Sequence, residues 1–293
     1  MYLPHKPRLF HDGIRPASTP PKIVVLNFSG GGQSTALAQM LLQGEIPMPP
    51  HLLVLSADPG MEKSETYRII SETHEKFRQR GITAVTVPGP NLYDDLTRIQ
   101  ADTSRMDNPP YFTVNPQTGK RGRLLQKCTR FYKIAPMDRY LRIYLDRKFG
   151  ISQGSKRLGS GIVEKWIGIT ADEAGRRTSL PRRKYIRFFY PLAALGLTKQ
   201  DTAAKFTKWG LPVPPRSVCA ACFAHDGASI QDARTRPAYY NQMLAVDGRL
   251  RDFGLPGARD DLYMTSHGLR VEDITPENGG GDMEGCTAGY CFV

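Results

Sequence analysis

The chain has 293 residues, 40% of them hydrophobic and 9% aromatic, which is enough to bury a real core and excludes wholesale disorder, collagen and coiled coil. Forty Lys and Arg against 28 Asp and Glu leave a net charge of +12; this admits a polyanionic partner such as nucleic acid, or a phosphorylated substrate, and equally fits a plain basic surface. No run of about 18 apolar residues occurs, so no membrane partner is expected, and the absence of a signal-like stretch at the N-terminus points to the cytoplasm.

Residues 1–21 carry five prolines and no hydrophobic period, and read as a flexible arm. The run IVVLNFS, residues 23–29, reads as a buried parallel strand. It ends in GGGQST and passes into ALAQMLLQGE, a good helix former. LLVLSAD (52–58) and AVTVPG (84–89) read as further strands, with a helical segment between them. This βαβαβ order predicts a parallel sheet with right-handed crossovers. Residues 90–123 are polar and rich in proline, and read as an insertion or lid. A long helix is expected over 127–149. KWIGITAD (165–172) is a fourth strand, and Thr198 with Asp201 marks a capped helix. From residue 212 the composition shifts to proline, cysteine and glycine, which marks a small appended module. The expected fold class is α/β, a doubly wound parallel sheet over 22–211, with a cysteine-containing module over 212–293.

The turn Ser29, Gly30, Gly31, Gly32, Gln33, Ser34 lies between a buried strand and a helix. Glycines bring bare N–H groups close to a ligand, the helix N-terminus favours an anion, and two hydroxyls add donors. The position is built for phosphate. It is neither a Walker A loop, which needs a lysine, nor a dinucleotide fingerprint.

Five cysteines in a cytoplasmic chain point to metal, redox or nucleophile chemistry. Cys219 and Cys222 form a C-x-x-C pair, and Cys286 and Cys291 a looser pair. Together they supply the four thiolates of a zinc or iron–sulfur site. Cys128 remains as the odd thiol. It begins a helix near Arg130 and Lys133, a setting that favours thiolate and suits a sulfur carrier or nucleophile; a buried small hydrophobe is the plain alternative. Asp58, Asp172 and Glu173 fall at strand ends, where ligands bind in parallel sheets, though the two aspartates also suit helix caps.

The glycine turn resembles the PP-loop, SGGxDS, of the adenine nucleotide alpha-hydrolase superfamily. ADPGMEKSETY (57–67), CTRFYKIAPMDRYL (128–141), GITADEAGRR (168–177), YPLAALGLTKQD (190–201) and SVCAACFAH (217–225) resemble that superfamily's later segments in the same order. The resemblance covers roughly residues 22–225. It departs at Gln33, where the superfamily often has aspartate and its sulfonucleotide reductase branch has glutamine, and at Thr170, where an arginine is usual. The resemblance implies a HUP-like fold and binding of ATP, or a sulfated adenine nucleotide, with Mg2+. It implies that Arg130 and Lys133 touch the nucleotide phosphates and that Arg176 closes over the substrate. It tilts the metal reading towards a [4Fe–4S] cluster over Zn2+, and it offers Cys128 as a competing cluster ligand.

Three functions follow as expectations. The first is a PP-loop enzyme that adenylylates a substrate for sulfur or nitrogen transfer, with a nucleic acid as substrate and a sulfur donor such as a cysteine desulfurase as partner. The second is a phosphoadenylylsulfate or adenylylsulfate reductase. The third is a non-enzymatic, basic nucleic-acid-binding protein.

Overall fold

The computed structural model describes residues 21–98, 109–151, 162–173, 185–255 and 259–278. In chain order the elements are β1 (Ile23–Asn27), α1 (Gly32–Leu42), β2 (Leu52–Ala57), α2 (Ser64–Arg78), β3 (Thr83–Val87), α3 (Leu92–Thr97), β4 (Phe112–Val114) and β5 (Arg121–Arg123). A π-helical turn at Thr129–Ile134 leads into α4 (Ala135–Phe149), β6 (Val163–Trp166), β7 (Ile186–Phe189), α5 (Pro191–Ala194) and α6 (Lys199–Lys208). The last described elements are α7 (Gly227–Arg234), α8 (Pro237–Phe253), β8 (Asp261–Tyr263) and a 3-10 turn at Val271–Asp273.

Five strands form one parallel sheet in the order β3-β2-β1-β6-β7. Along β1 the side chains alternate between faces, as the pleat requires. Val24 and Leu26 pack with α1 residues Leu37 and Met40 and with Ile70 and Phe77 of α2. Ile23 and Val25 pack with Met137, Leu141 and Leu145 of α4. Apolar burial on both faces explains why these strands read as continuous hydrophobic runs. The expected doubly wound α/β fold is borne out. The chain leaves β1 in one direction to β2 and β3, then returns to its other side with β6. Such a switch opens a crevice beyond the strand ends.

The segment read as an insertion and the module after residue 212 share one core. β5, β4 and β8 make an antiparallel sheet. Leu92, Leu96 and Tyr111 pack with Ala220, Ile230, Met243 and Val271. The Thr198 capping box forms as expected: Asp201 N donates to Thr198 Oγ1 at 3.1 Å, and Thr198 N donates to Asp201 Oδ2 at 2.8 Å. Among the described residues no helix is long and apolar enough to cross a membrane. The N-terminal arm, apart from residue 21, lies outside the described residues.

Candidate functional site

The phosphate-type turn sits at the switch point. β1 ends at Asn27, and Gly30 takes φ +73° so that α1 can start at Gly32. A Cβ on Gly30 would stand 2.9 Å from Ile70 and 3.0 Å from the Thr66 carbonyl oxygen, so only glycine permits the turn. Gly168, just past β6, is equally constrained, because a Cβ there would meet Ser34 N and Cα at 2.9 Å. The Ser29 and Ser34 hydroxyls lie 3.0 Å apart, and Ser34 Oγ donates to the Gly31 carbonyl at 3.1 Å. The first turn of α1 holds no acid, which leaves its positive end open to an anion.

A cavity of about 370 Å³ opens on this turn, lined by Gly31, Gly32, Gln33, Glu173, Lys199 and Arg216 among others. That size lies within the range of small-molecule sites. Glu173 is buried and accepts hydrogen bonds from Thr170 N at 3.4 Å, Thr170 Oγ1 at 3.0 Å and Gln33 Nε2 at 3.5 Å. Lys199 Nζ pairs with its other oxygen at 3.2 Å. Asp172 accepts from Lys199 N at 3.2 Å. Burial pushes the Asp172 carboxyl up, but hydrogen bonds from Thr170 and Lys199 outweigh it and hold the group below its ordinary range.

A narrow cleft at the ends of β1 and β2 is lined by Asn27, Phe28, Ser29, Glu62, Ile70, Lys133 and Met137 among others. Asn27 is 2% exposed, and neither its amide oxygen nor its nitrogen has a partner. Glu62 is the hub beside it. It accepts from Lys133 Nζ at 2.8 Å, Ser217 Oγ at 3.1 Å and Cys219 Sγ at 3.6 Å.

The second cavity is apolar and holds the thiols. Cys128, Cys219 and Cys222 are not joined in a disulfide, are half-buried, and line it together with Tyr132, Lys133, Arg216, Ser217 and Phe223. The π-helical turn delivers Cys128 here. Such turns insert an extra residue per turn and mark functional positions. The Tyr111 hydroxyl is fully buried without a hydrogen-bond partner. Burial first, then negative charge on Cys128, Cys222 and Asp247, pushes that phenol well above its ordinary range. Among the described residues no three His, Cys, Asp or Glu side chains are grouped for a single metal ion. The three thiols share this apolar cavity, and Cys128 and Cys219 pack against the core that holds Tyr111.

The other sequence candidates fall as follows. Ser29, Gly30, Gly31, Gly32, Gln33 and Ser34 form the turn. Asp58 closes the loop after β2, its Oδ1 accepting from Gly60 N and Tyr67 Oη, each at 2.7 Å. Lys133 lines both the narrow cleft and the thiol cavity, while Arg130 is exposed. Arg176, Cys286 and Cys291 lie outside the described residues. Glu62, Lys199, Arg216, Ser217, Asn27 and Tyr111 were missed by motif reading. Arg216 and Ser217 stand three and two residues before Cys219, and that proximity was the one available signal.

Topology and site together define the class: an α/β protein with a doubly wound parallel sheet and a glycine turn at its switch point, beside a thiol cavity. No family model and no curated protein matches the chain. Among solved structures it is similar to the U34-tRNA thiolase NcsA from Methanococcus maripaludis with its [4Fe–4S] cluster, at 14% identity and a TM-score of 0.39, over 86% of this chain and 79% of that one.

Proposed function

We propose that this protein binds ATP at the Ser29–Ser34 turn, adenylylates an acceptor oxygen with it, and delivers sulfur from the cavity of Cys128, Cys219 and Cys222. The observation that carries this reading is a shared wall: Arg216 and Ser217 line both cavities. An acceptor activated at the turn therefore lies beside the thiols.

The acceptor oxygen attacks the α-phosphorus and pyrophosphate leaves. A sulfide-level sulfur nucleophile, formed when a thiol reductant gives two electrons to the persulfide sulfur of a donor such as a cysteine desulfurase, then attacks the activated carbon, and AMP departs with the oxygen. Turn amides, the α1 N-terminus and the Arg216 guanidinium stabilise the charge that develops on phosphate. Glu173 is the one carboxylate among the described lining residues, and its oxygens suit Mg2+ held against the phosphates. The three thiols would hold a [4Fe–4S] cluster, with Tyr111 as hydrogen-bond donor beside them. When bound, such a cluster supplies thiophilic, redox-active iron.

The test is anaerobic reconstitution of the full chain and its Cys→Ser variants. Iron, and an absorbance near about 400 nm, are expected in wild type and in Cys286→Ser and Cys291→Ser. Both are expected to be lost in Cys128→Ser, Cys219→Ser and Cys222→Ser. Loss in the two tail variants with retention in Cys128→Ser would return the ligand set to the two cysteine pairs. Stoichiometric zinc without iron, or sulfite released from phosphoadenylylsulfate with no pyrophosphate from ATP, would overturn the proposal.

A further inference from the structure

Between Asp107 and Asp138 the chain contains no acidic residue. Within that interval Lys120, Arg121, Arg123, Lys127 and Arg130 are all exposed. None of the five is in an ion pair among the described residues. Some cations elsewhere on the surface are matched, Arg68 with Glu72, Arg78 with Glu75, Lys205 with Glu45 and Arg270 with Glu272. Others, such as Lys76, Arg139 and Lys208, are exposed without an ion pair among the described residues but are not part of an acid-free run. The acids of the small sheet, Asp260 and Asp261, lie on or beside β8 at its opposite edge, and Asp260 accepts from Asn115 Nδ2 at 3.0 Å.

The five cations form a directed strip. Arg121 and Arg123 stand on β5, the free edge of the β5-β4-β8 sheet. Arg121 Nη1 donates to the Ser266 carbonyl at 3.2 Å, which fixes its stem. The Arg123 guanidinium lies over the Phe223 ring, 5.4 Å from its centroid, and Phe223 is part of the thiol cavity wall. Lys127 and Arg130 then flank Cys128, which lines the same cavity. Edge-strand charges that block aggregation account for the two β5 arginines, but not for Lys127 and Arg130, which lie beyond the strand on either side of Cys128 in the chain.

We propose that this strip, from Lys120 to Arg130, is a docking track for the phosphate backbone of a nucleic acid, running from the β4–β5 hairpin to the thiol cavity. The track rests on the reading given under Proposed function in one respect: it makes the nucleic acid the acceptor brought to the sulfur. Its chemistry is Lys and Arg against phosphate, in which counterion release supplies the affinity.

The test uses the full, anaerobically purified chain with bulk tRNA and with duplex DNA of similar length, measured by fluorescence anisotropy over a salt series. The Lys120→Ala/Arg121→Ala/Arg123→Ala variant is expected to bind at least ~10-fold more weakly near 0.1 M salt, and to flatten the slope of log K against log salt by about 3. A control of equal charge change, Arg68→Ala/Arg78→Ala/Lys205→Ala, is expected to keep affinity within about 2-fold, because its cations are already paired. ATP affinity should be unchanged in both. Preference for tRNA or for duplex identifies the natural source, and equal binding supports plain backbone recognition. Equal losses in both variants, a slope unaltered in the strip variant, or binding of acidic protein with neither nucleic acid would overturn the track. If wild type fails to bind ATP yet keeps the strip-dependent slope, the proposed reaction fails while the docking surface stands.

Discussion

Burying an amide without partners costs about 1–3 kcal/mol, and Asn27 buries both its oxygen and its nitrogen that way. Folding alone gives no return for this. The side chain lines the cleft next to Ser29 with apolar Phe28, Ile70 and Met137 around it, which is the make-up of a slot for a flat, edge-polar ring. A carboxamide matches adenine, since it can accept from the exocyclic amine and donate to a ring nitrogen. Asn27→Leu, close in volume, should therefore raise stability to denaturant by about 1–3 kcal/mol and weaken ATP binding by ~10-fold or more. Calorimetric titration with ATP and inosine triphosphate should show wild type, but not the variant, preferring the amino-bearing ring. Changes of the same sign in stability and affinity would refute the assignment. At this scale the glycine turn was legible because its chemistry is local: consecutive glycines between a strand and a helix. Asn27, Glu62, Arg216 and Tyr111 were not, because each matters only through neighbours remote in sequence.

Among the elements, β6 shows how a strand can be hidden by its own charges. It begins at Val163 and carries Glu164 and Lys165, whereas the expected strand began only at Lys165, because an adjacent acid and base break the apolar run. The fold buries both by pairing them, Glu164 with Arg187 at 2.6 Å and Lys165 with Asp138 at 2.7 Å. β7, carrying Arg187, was masked in the same way. The π-helical turn was hidden for a different reason: its apolar spacing continues into α4, so the segment read as one helix. A third device ties α2 to the strands that carry the phosphate turn. Ser56 Oγ donates to the Phe28 carbonyl at 2.6 Å and lies 3.0 Å from His74 Nε2. Burial, with the charge of Arg78 adding, pushes His74 down to about 4. The folded state therefore holds the ring neutral, while the unfolded chain takes up a proton below about 6.5. The stabilisation is complete above that pH and is lost as pH falls towards 4, amounting to about 3 kcal/mol. Urea unfolding of wild type and His74→Gln across that window should show the variant losing less stability on acidification. Parallel losses would show that His74 is not the titrating group.

At the scale of the whole molecule, the sequence marks a composition boundary near residue 212, yet packing crosses it. β4 pairs with β8, and α3 with Tyr111 and Tyr132 completes the core of the C-terminal helices. Strand pairing between segments so distant in sequence leaves no local trace, which is why composition drew the line where the core does not. The consequence is cooperative. Removing residues after 211 would leave Leu92, Leu96, Tyr111 and Tyr132 without their packing partners and β4 with an open edge, a combination that exposes apolar surface and invites aggregation. The full chain should unfold in one calorimetric transition whose enthalpy matches its van't Hoff value. A fragment ending at 211 should bind hydrophobic dye and lack that transition. Two separable transitions in the full chain, with the earlier one reproduced by the fragment, would show that the sheet and the thiol module fold independently. The shared wall of Arg216 and Ser217 would then join two units able to part, and sulfur delivery would depend on their docking rather than on a single preformed site.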